Sequence, residues 1–401
     1  MKGLSFAGKR VLVRVDFNVP LSTTNEITDD NRIKASLPTL RHILAEGGSL
    51  ILCSHLGRPQ QEKTPQGELD IARFTLRHIQ GYLENALGRK VRFVNDCIGK
   101  EAQSCCRNLA PGDVILLENT RFHKGEEKGD DSMARELASL ADIYINDAFG
   151  SAHRAHVSTT GVAHYFSPES RGFGFLMDAE VANANRLLSN TEKPFAAIIG
   201  GAKVSDKLLL LDRMLELVDM LLIGGGMAFT FIRARGGHIG GSLVEPERLE
   251  LAAALLDRAA KKGVMVLLPV DVLAADRFAN DAITRTVPAH EIPDSWLGLD
   301  IGPQSAKLFR EALGSVRTIL WNGPMGVFEM PAFATGTLAV AQAVADATRK
   351  GAFSLVGGGD SVAAVTQAGL VDAVSYVSTG GGALLEMLEG KVLPGVKAIL
   401  D

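Results

Sequence analysis

Nine short apolar runs, each followed by a turn and most of them by apolar residues at helical spacing, constrain this chain more than any other feature. They are Val11–Val15, Leu50–Cys53, Val114–Leu117 and Ile143–Ile145, then Phe195–Ile199, Met220–Ile223, Val264–Leu268, Thr318–Trp321 and Phe353–Val356. A run that is apolar at nearly every position buries both faces, and a strand is covered on both faces inside a sheet flanked by helices. Segments such as Leu208–Val218 and Leu249–Ala260, with apolar residues three and four apart, supply those helices. The pattern predicts an α/β fold with parallel sheets. At 401 residues the chain is too long for one ordinary core, so two domains are expected. The segment from Phe175 to Leu188 reads as one helix of mixed polarity near mid-chain, bracketed by Gly172, Gly174 and Pro194. It suits a connector between domains, and equally an ordinary helix within one.

Composition narrows the function class. With 46% hydrophobic and 22% charged residues the chain belongs among folded globular proteins, not disordered ones. No run of 18 apolar residues is present, so no transmembrane helix is expected. The first residues carry no apolar core of signal-peptide length, so no secretory leader is expected either. The four cysteines (Cys53, Cys97, Cys105 and Cys106) lack paired metal spacing, and the vicinal pair does not suit a structural disulfide. A reducing cytoplasm fits best. A net charge of −4 gives no support for nucleic-acid binding. Residues 1–170 nevertheless hold 21 basic and 21 acidic side chains and seven of the nine histidines, against 21 basic and 25 acidic in the remainder. That asymmetry directs the search for an anionic ligand to the first part.

In doubly wound sheets ligands bind beyond the carboxyl ends of the strands, so the residues after each apolar run are the informative ones. After the first run comes Asp16-Phe17-Asn18, and after the second Ser54-His55-Leu56-Gly57-Arg58. The third is followed by Glu118-Asn119-Thr120-Arg121-Phe122-His123. The fourth leads through Asn146-Asp147 to His153-Arg154-Ala155-His156. Arg58, Arg121 and Arg154 with His55 could form a forked clamp for phosphate or carboxylate. The competing reading neutralises these arginines internally, against Asp16, Glu118 and Asp147.

Strand ends in the second part run into glycine instead: Gly200-Gly201-Ala202-Lys203, Gly224-Gly225-Gly226, Asn322-Gly323-Pro324, Gly357-Gly358-Gly359-Asp360 and Gly380-Gly381-Gly382. Glycine turns that enter helices present bare backbone N–H groups and the positive end of the helix dipole, which together cradle a polyphosphate. One such turn is more often only a tight turn, but five on one sheet edge point to a nucleotide. Lys203 and Lys207 could add point charges, and Asp360 could hold an accompanying Mg²⁺. Common alternatives fail. Gly3-x4-Gly8-Lys9-Arg10 lacks the Ser or Thr of a P-loop and precedes its strand. No early G-x-G-x-x-G, HExxH, G-x-S-x-G or protein-kinase catalytic loop is present. An anion site on one domain and a polyphosphate site on another is a kinase layout.

These motifs resemble the phosphoglycerate kinase family. Arg14-Val15-Asp16-Phe17-Asn18-Val19-Pro20, Ser54-His55-Leu56-Gly57-Arg58-Pro59, Leu117-Glu118-Asn119-Thr120-Arg121-Phe122 and His153-Arg154-Ala155-His156 carry the resemblance in the first part. Gly200-Gly201-Ala202-Lys203-Val204-Ser205-Asp206-Lys207, Gly224-Gly225-Gly226-Met227-Ala228-Phe229, Trp321-Asn322-Gly323-Pro324, Gly357-Gly358-Gly359-Asp360-Ser361 and Ser378-Thr379-Gly380-Gly381-Gly382 carry it in the second. The resemblance covers essentially the whole chain. It implies two doubly wound, Rossmann-like parallel-sheet domains joined by a hinge helix. Residues 1–172 would bind 3-phosphoglycerate or 1,3-bisphosphoglycerate, with about 386–401 packing back on them, and 173–385 would bind Mg-ADP or Mg-ATP. By position, the resemblance gives Asp16, Phe17, Asn18, Arg32, His55, Leu56, Gly57, Arg58, Arg121 and Arg154 to the substrate. It gives Gly201, Ala202, Lys203, Lys207, Gly225, Asn322, Pro324, Glu329, Gly358, Gly359, Asp360 and Ser361 to the nucleotide, with Asp360 as the metal ligand. Tyr376, Leu384 and Ala179 depart from the family pattern, which bears on hinge energetics more than on activity.

The implied enzyme is a glycolytic, cytoplasmic monomer with no nucleic-acid or membrane partner. Its nucleophile in the ATP-consuming direction is a carboxylate already ionised at neutral pH, so no general base is needed. Catalysis then rests on alignment and charge neutralisation. Lys203 and Arg32 are expected to meet the transferring group, with the amide at Gly381 adding a backbone dipole. A kinase for another phosphorylated acid fits the basic strand ends equally well, and only the resemblance selects phosphoglycerate. A nucleotide binder without turnover would need a lost catalytic group, yet Lys203, Arg32 and Asp360 are all present. Two ligands on two domains imply closure on binding both, and small-angle scattering of the doubly liganded protein should show compaction.

Overall fold

All nine apolar runs lie on strands of two six-stranded parallel sheets. The computed structural model describes Met1 and residues 3–401. The first sheet contains β1 (Arg10–Val15), β2 (Ser49–Cys53), β3 (Val91–Val94), β4 (Val114–Leu117), β5 (Ile143–Asp147) and β6 (Arg171–Phe173), in the order β3-β4-β2-β1-β5-β6. The later strands are β7 (Phe195–Ile199), β8 (Met220–Ile223), β9 (His238–Ile239), β10 (Met265–Leu267), β11 (Asp271–Ala275), β12 (Thr284–Pro288), β13 (Glu291–Ile292), β14 (Leu297–Ile301), β15 (Thr318–Asn322), β16 (Phe353–Val356) and β17 (Tyr376–Val377). Six of them make the second sheet, in the order β10-β8-β7-β15-β16-β17. In each sheet the first strand is flanked by neighbours reached by diverging connections (β2 and β5 beside β1, β8 and β15 beside β7). That creates the crevice at which α/β proteins bind ligands.

The strands that the apolar pattern does not reveal are β3, β6 and β17, and all three are sheet edges. An edge strand has one neighbour and a wetter surface, so β3 tolerates an exposed Arg92 between buried Val91 and Val94. Also unanticipated is an antiparallel sheet, β12-β11-β14, with a small β13-β9 pair, packed around Phe229, Ile232, Val272 and Ile292. β12 is largely exposed and β14 interrupts its apolar residues with Gly298 and Asp300, whereas β11 carries an apolar run, Val272–Ala275, that was not among the nine.

The chain forms two compact units, Met1–Ala182 with Lys391–Asp401, and Asn183–Gly390. The mid-chain helix is Phe175–Ser189, and the division falls inside it, not ahead of it at 172. The reason is local. The helix's first turn is tied into the first unit by Phe175 N–H donating to Thr39 Oγ1 (2.8 Å) and Met177 N–H donating to Asp147 Oδ1 (3.1 Å). At the other end, helix Pro394–Leu400 returns to the first unit, where Gly395 N–H donates to the Ala152 carbonyl at 2.8 Å.

Asp147 closes β5 and is wholly buried. Gly174 lies so close that a Cβ there would sit 2.2 Å from the Asp147 carboxyl carbon. Burial lifts the Asp147 carboxyl to about 7, although the Thr39 hydroxyl and the amides of Met177 and Leu176 oppose the shift. A folded-state value above the ordinary 3.8 means the native state binds the proton more tightly than the unfolded chain. The contribution to stability is therefore complete below about 3.8 and is lost as pH rises through about 7. Urea midpoints of the wild type, measured relative to Asp147→Asn, should fall between pH 4 and pH 8. A difference that does not vary with pH would contradict the burial.

Candidate active site

The loops leaving β1, β2 and β4 are tied to one another before any ligand is considered. Phe17 N–H donates to Ser54 Oγ (2.9 Å), and Gly57 N–H donates to Asn18 Oδ1 (2.9 Å). Asn119 Nδ2 donates to the carbonyls of Leu56 (2.7 Å) and Phe74 (2.9 Å), while its Oδ1 accepts from Arg121 N–H at 3.0 Å. Phe17 and Leu56 turn into the hydrophobic core, so only their backbones face the loops. Asn18 serves first to hold Gly57 in place.

Arginines gather on this framework. Arg32, at the start of helix Asn31–Ala45, donates to Asp16 Oδ2 (3.1 Å) and to the Asn18 carbonyl (3.2 Å). Arg121 is buried, donates through Nη1 to the Gly57 carbonyl (2.7 Å), and lies 3.4 Å from Glu127. Its Nε has no hydrogen-bond partner. Arg154 approaches His153 at 3.2 Å, and Arg58 is exposed with no ion pair among the described residues. Among the described residues the internal-neutralisation reading fails for Arg58, Arg121 and Arg154: Asp16 pairs with Arg32, Arg121 meets Glu127 instead, and the other two carboxylates are engaged elsewhere. Glu118 accepts from Thr75 Oγ1 (2.6 Å) and from the amides of Leu76 and Asn119 (both 2.8 Å), and Asp147 holds the mid-chain helix.

The histidines report the resulting field. His55 is buried, and its basicity is pushed well below the ordinary range by burial and then by Arg14, Arg121, Arg32 and Arg154. His156 falls to about 3 by burial and then by Arg121, Arg14 and Arg154. Burial also lowers Arg121 to about 10, against the pull of Glu127. Two neutral imidazoles inside a ring of guanidinium groups leave a concentrated positive potential suited to a phosphorylated acid. Arg14, absent from the expected ligand set, anchors the ring from beneath. It is fully buried, with Nη2 3.0 Å from His55 Nδ1 and Nε donating to Ser158 Oγ at 2.7 Å. The signal was an arginine inside the otherwise apolar run Val11–Val15.

In the second unit the glycine-rich strand ends pack against one another. A Cβ on Gly200 would lie 2.0 Å from the Pro324 carbonyl oxygen, and one on Gly323 would lie 2.1 Å from that of Gly200. These glycines let the ends of β7 and β15 touch, so close packing explains them as directly as ligand binding does. Gly359 differs, because a Cβ there meets nothing within 4 Å. It opens helix Gly359–Gln367, whose first turn carries the exposed Asp360. Helix Gly381–Leu388 starts beside it, with Gly381 packed on Gly358. Two helix N-termini thus meet at one place.

Around them Lys207 Nζ donates to Asn322 Oδ1, Asn322 Nδ2 donates to the Gly357 carbonyl (2.8 Å), and Gly323 N–H donates to Ser361 Oγ (2.5 Å). Burial lowers the basicity of Lys207, and nearby Asp360 opposes the shift. Lys203 is exposed and has no such partner among the described residues; its loop is held from beneath by Glu245. That carboxylate accepts from the amides of Val204 (2.6 Å) and Ser205 (3.1 Å) and from Ser205 Oγ (2.5 Å). Burial alone would raise Glu245, but these hydrogen bonds prevail and hold it below the ordinary range. Gly201, Ala202, Gly225, Pro324, Glu329 and Asp360 all line one cleft of about 540 Å³. Phe229, Leu243, Leu299 and Val327 give it apolar walls, which strand-end inspection missed because three of them lie on or beside elements it did not anticipate. Leu384, one of the departures from the family pattern, is buried and fills the space beside Gly357.

Comparison with known proteins agrees with this geometry. Residues 1–391 match the family model described as phosphoglycerate kinase. The chain belongs to the phosphoglycerate kinase family. A phosphoglycerate kinase of Synechococcus sp. (strain JA-3-3Ab) is 53% identical over 401 residues, covering 100% of this chain and 97% of that protein. The cytosolic enzyme of Triticum aestivum is 52% identical over 392 residues, covering 98% and 95%. Among solved structures, phosphoglycerate kinase from Coxiella burnetii superposes with a TM-score of 0.88 at 41% identity, covering 100% of this chain and 98% of that one. The protein is thus a phosphotransferase with a carboxyl group as acceptor. It acts between 1,3-bisphosphoglycerate and ADP on one side and 3-phosphoglycerate and ATP on the other, with Mg²⁺. No described helix is long and apolar enough to cross a membrane.

The two kinds of glycine separate experimentally. Gly200→Ala forces a methyl group onto the Pro324 carbonyl and should cost about 1–3 kcal/mol in urea unfolding, as overpacking does. Gly359→Ala should leave stability within about 0.5 kcal/mol, as expected where the new group meets open space.

Proposed function

We propose that the guanidinium ring of the first unit binds the phosphorylated acid and that the cleft and paired helix N-termini of the second unit bind the nucleotide. The observation that carries the first assignment is the gathering of Arg32, Arg121 and Arg154 about buried His55, whose Nδ1 lies 3.0 Å from the buried Arg14. Arg121, Arg154 and Arg58 take the phosphate of phosphoglycerate. Asp16 and Asn18 order Arg32, which serves the carboxyl end, where the acyl phosphate forms or breaks. His55 stays neutral and offers a hydrogen bond without competing for the anion. Phe17, Leu56 and Gly57 contribute through their backbone.

In the second unit, Gly201, Ala202, Gly225, Pro324 and Glu329 line the nucleoside slot. Lys207, Asn322, Gly358, Gly359 and Ser361 form the phosphate end. Asp360 would hold Mg²⁺, since it is an exposed carboxylate beside a lysine at a helix start, and such sites take the ion through one carboxylate plus substrate phosphates. Bound there, the ion supplies charge neutralisation on the polyphosphate. Lys203 serves the terminal phosphate, held in place by the Glu245-anchored loop, and the Gly381 amide adds a donor. No residue acts as a base, because a carboxylate of ordinary pKa near 4 is already ionised at neutral pH. The cytosolic relatives of Triticum aestivum and Nicotiana tabacum support a cytoplasmic location, and the family resemblance supports a monomer. Cell fractionation and sedimentation test these two.

The assay is ATP-dependent phosphorylation of 3-phosphoglycerate, followed as NADH loss through glyceraldehyde-phosphate dehydrogenase. Lys203→Met should lower kcat by roughly 100-fold or more, because losing one preorganised donor costs on the order of 2.7–4 kcal/mol. Arg32→Ala should lose turnover while ATP binding stays intact. Near-wild-type turnover in either variant would overturn its role.

A further inference from the structure

We propose that Asp96, Cys97 and His123 form a binding site for a borderline-soft divalent cation such as zinc, separate from the Mg²⁺ that accompanies the nucleotide. Among the described residues this is one group whose ligand-type atoms (carboxylate oxygen, thiol sulfur and imidazole nitrogen) all lie within 4.8 Å of one another. Sheet topology brings them together. Strands β3 and β4 are parallel neighbours paired through Val94 and Leu117, so the loops that follow them leave the same edge side by side. The first loop carries Asp96 and Cys97, and the second ends at His123.

The site is held before any metal arrives. Asp96 Oδ1 accepts from the amides of Cys97 (2.7 Å) and Ile98 (3.3 Å), which fixes the turn. Arg77 Nη2 donates to Asn95 Oδ1 (2.7 Å), Asn95 Nδ2 donates to Glu101 (2.9 Å), and Gly99 N–H donates to Glu136 (3.1 Å), so both flanks of the turn are pinned. His123 Nε2 lies 2.6 Å from Asp96 Oδ1, and a cation bound between them takes the place of the proton in that hydrogen bond. Cys97 is buried, whereas the Asp96 and His123 side chains are 42% and 32% exposed, so an ion sits at the surface with the thiol beneath it and water as a further ligand. On binding, the thiol gives its proton to solvent and a metal–sulfur bond forms.

The ligand set selects the metal. Sulfur and imidazole nitrogen suit zinc and cobalt and are poor partners for Mg²⁺, which prefers oxygen.

The test is titration of the metal-free full-length protein with cobalt in excess Mg²⁺, followed by the near-ultraviolet thiolate-to-cobalt charge-transfer band. One equivalent should develop the band, and zinc should abolish it. Cys97→Ser should remove the band, while Cys105→Ser should keep it. His123→Ala and Asp96→Asn, at half-exposed positions that spare the core, should each weaken cobalt binding by tenfold or more. Absence of the band in the wild type, its survival in Cys97→Ser, its displacement by Mg²⁺, or wild-type affinity in both His123→Ala and Asp96→Asn would each overturn the proposal.

Discussion

Parallel register between β1 and both of its neighbours is the constraint on which the rest of the first unit depends. Arg14 lies opposite Cys53 on one side and Asn146 on the other, so the three strands end together and their loops start from one line. Strand β4 extends the same edge through β2. Residues more than a hundred positions apart in the chain therefore arrive at one surface with their polar loops in contact. Shifting one strand by a single residue would turn each of its side chains to the opposite face of the sheet and disperse the cluster.

That arrangement concentrates charge in a place where charge is costly. Arg14 and Arg121 are both buried, and an uncompensated buried ion is strongly destabilising. Arg14 is compensated indirectly. Its Nε donates to Ser158 Oγ, which in turn donates to the buried Glu126 at 2.5 Å, and Glu126 also accepts from the Ser158 amide and Thr120 Oγ1. Arg121 is compensated only in part, by Glu127 and the Gly57 carbonyl. Under the proposed assignment, an anionic substrate would complete that residual positive charge, and binding and local stability would be coupled. The second unit gathers positive potential differently, through backbone N–H groups at two helix starts and two lysines, one of them partly desolvated.

The architecture was largely legible in the sequence because burial on both faces leaves an apolar run. Every central strand was marked in that way. The edge strands β3, β6 and β17 were not, because one missing neighbour admits polar residues and erases the pattern, and in the antiparallel sheet β12-β11-β14 only the central β11 carries an apolar run. The clustered arginines Arg58, Arg121 and Arg154 were legible because each follows a marked strand, whereas Arg32, on the helix Asn31–Ala45, came from the family resemblance. The apolar walls of the cleft in the second unit were not, because Phe229 and Leu299 read as ordinary core residues and Leu243 as a scattered surface one.

By itself the sequence determined the fold class, the family and the residue types at the strand ends, since these follow from local periodicity and contiguous motifs. Only the tertiary structure decided what each residue does there. It made Gly200 and Gly323 packing contacts while Gly359 stayed open, turned Phe17 and Leu56 into the core, and set Glu245 beneath the Lys203 loop. It also placed Cys97 beside His123, although no spacing between them marks a metal site. The reason is physical: distance along the chain does not encode distance across a sheet. Desolvation and charge proximity, which set what a side chain can do, exist only once the strands have paired.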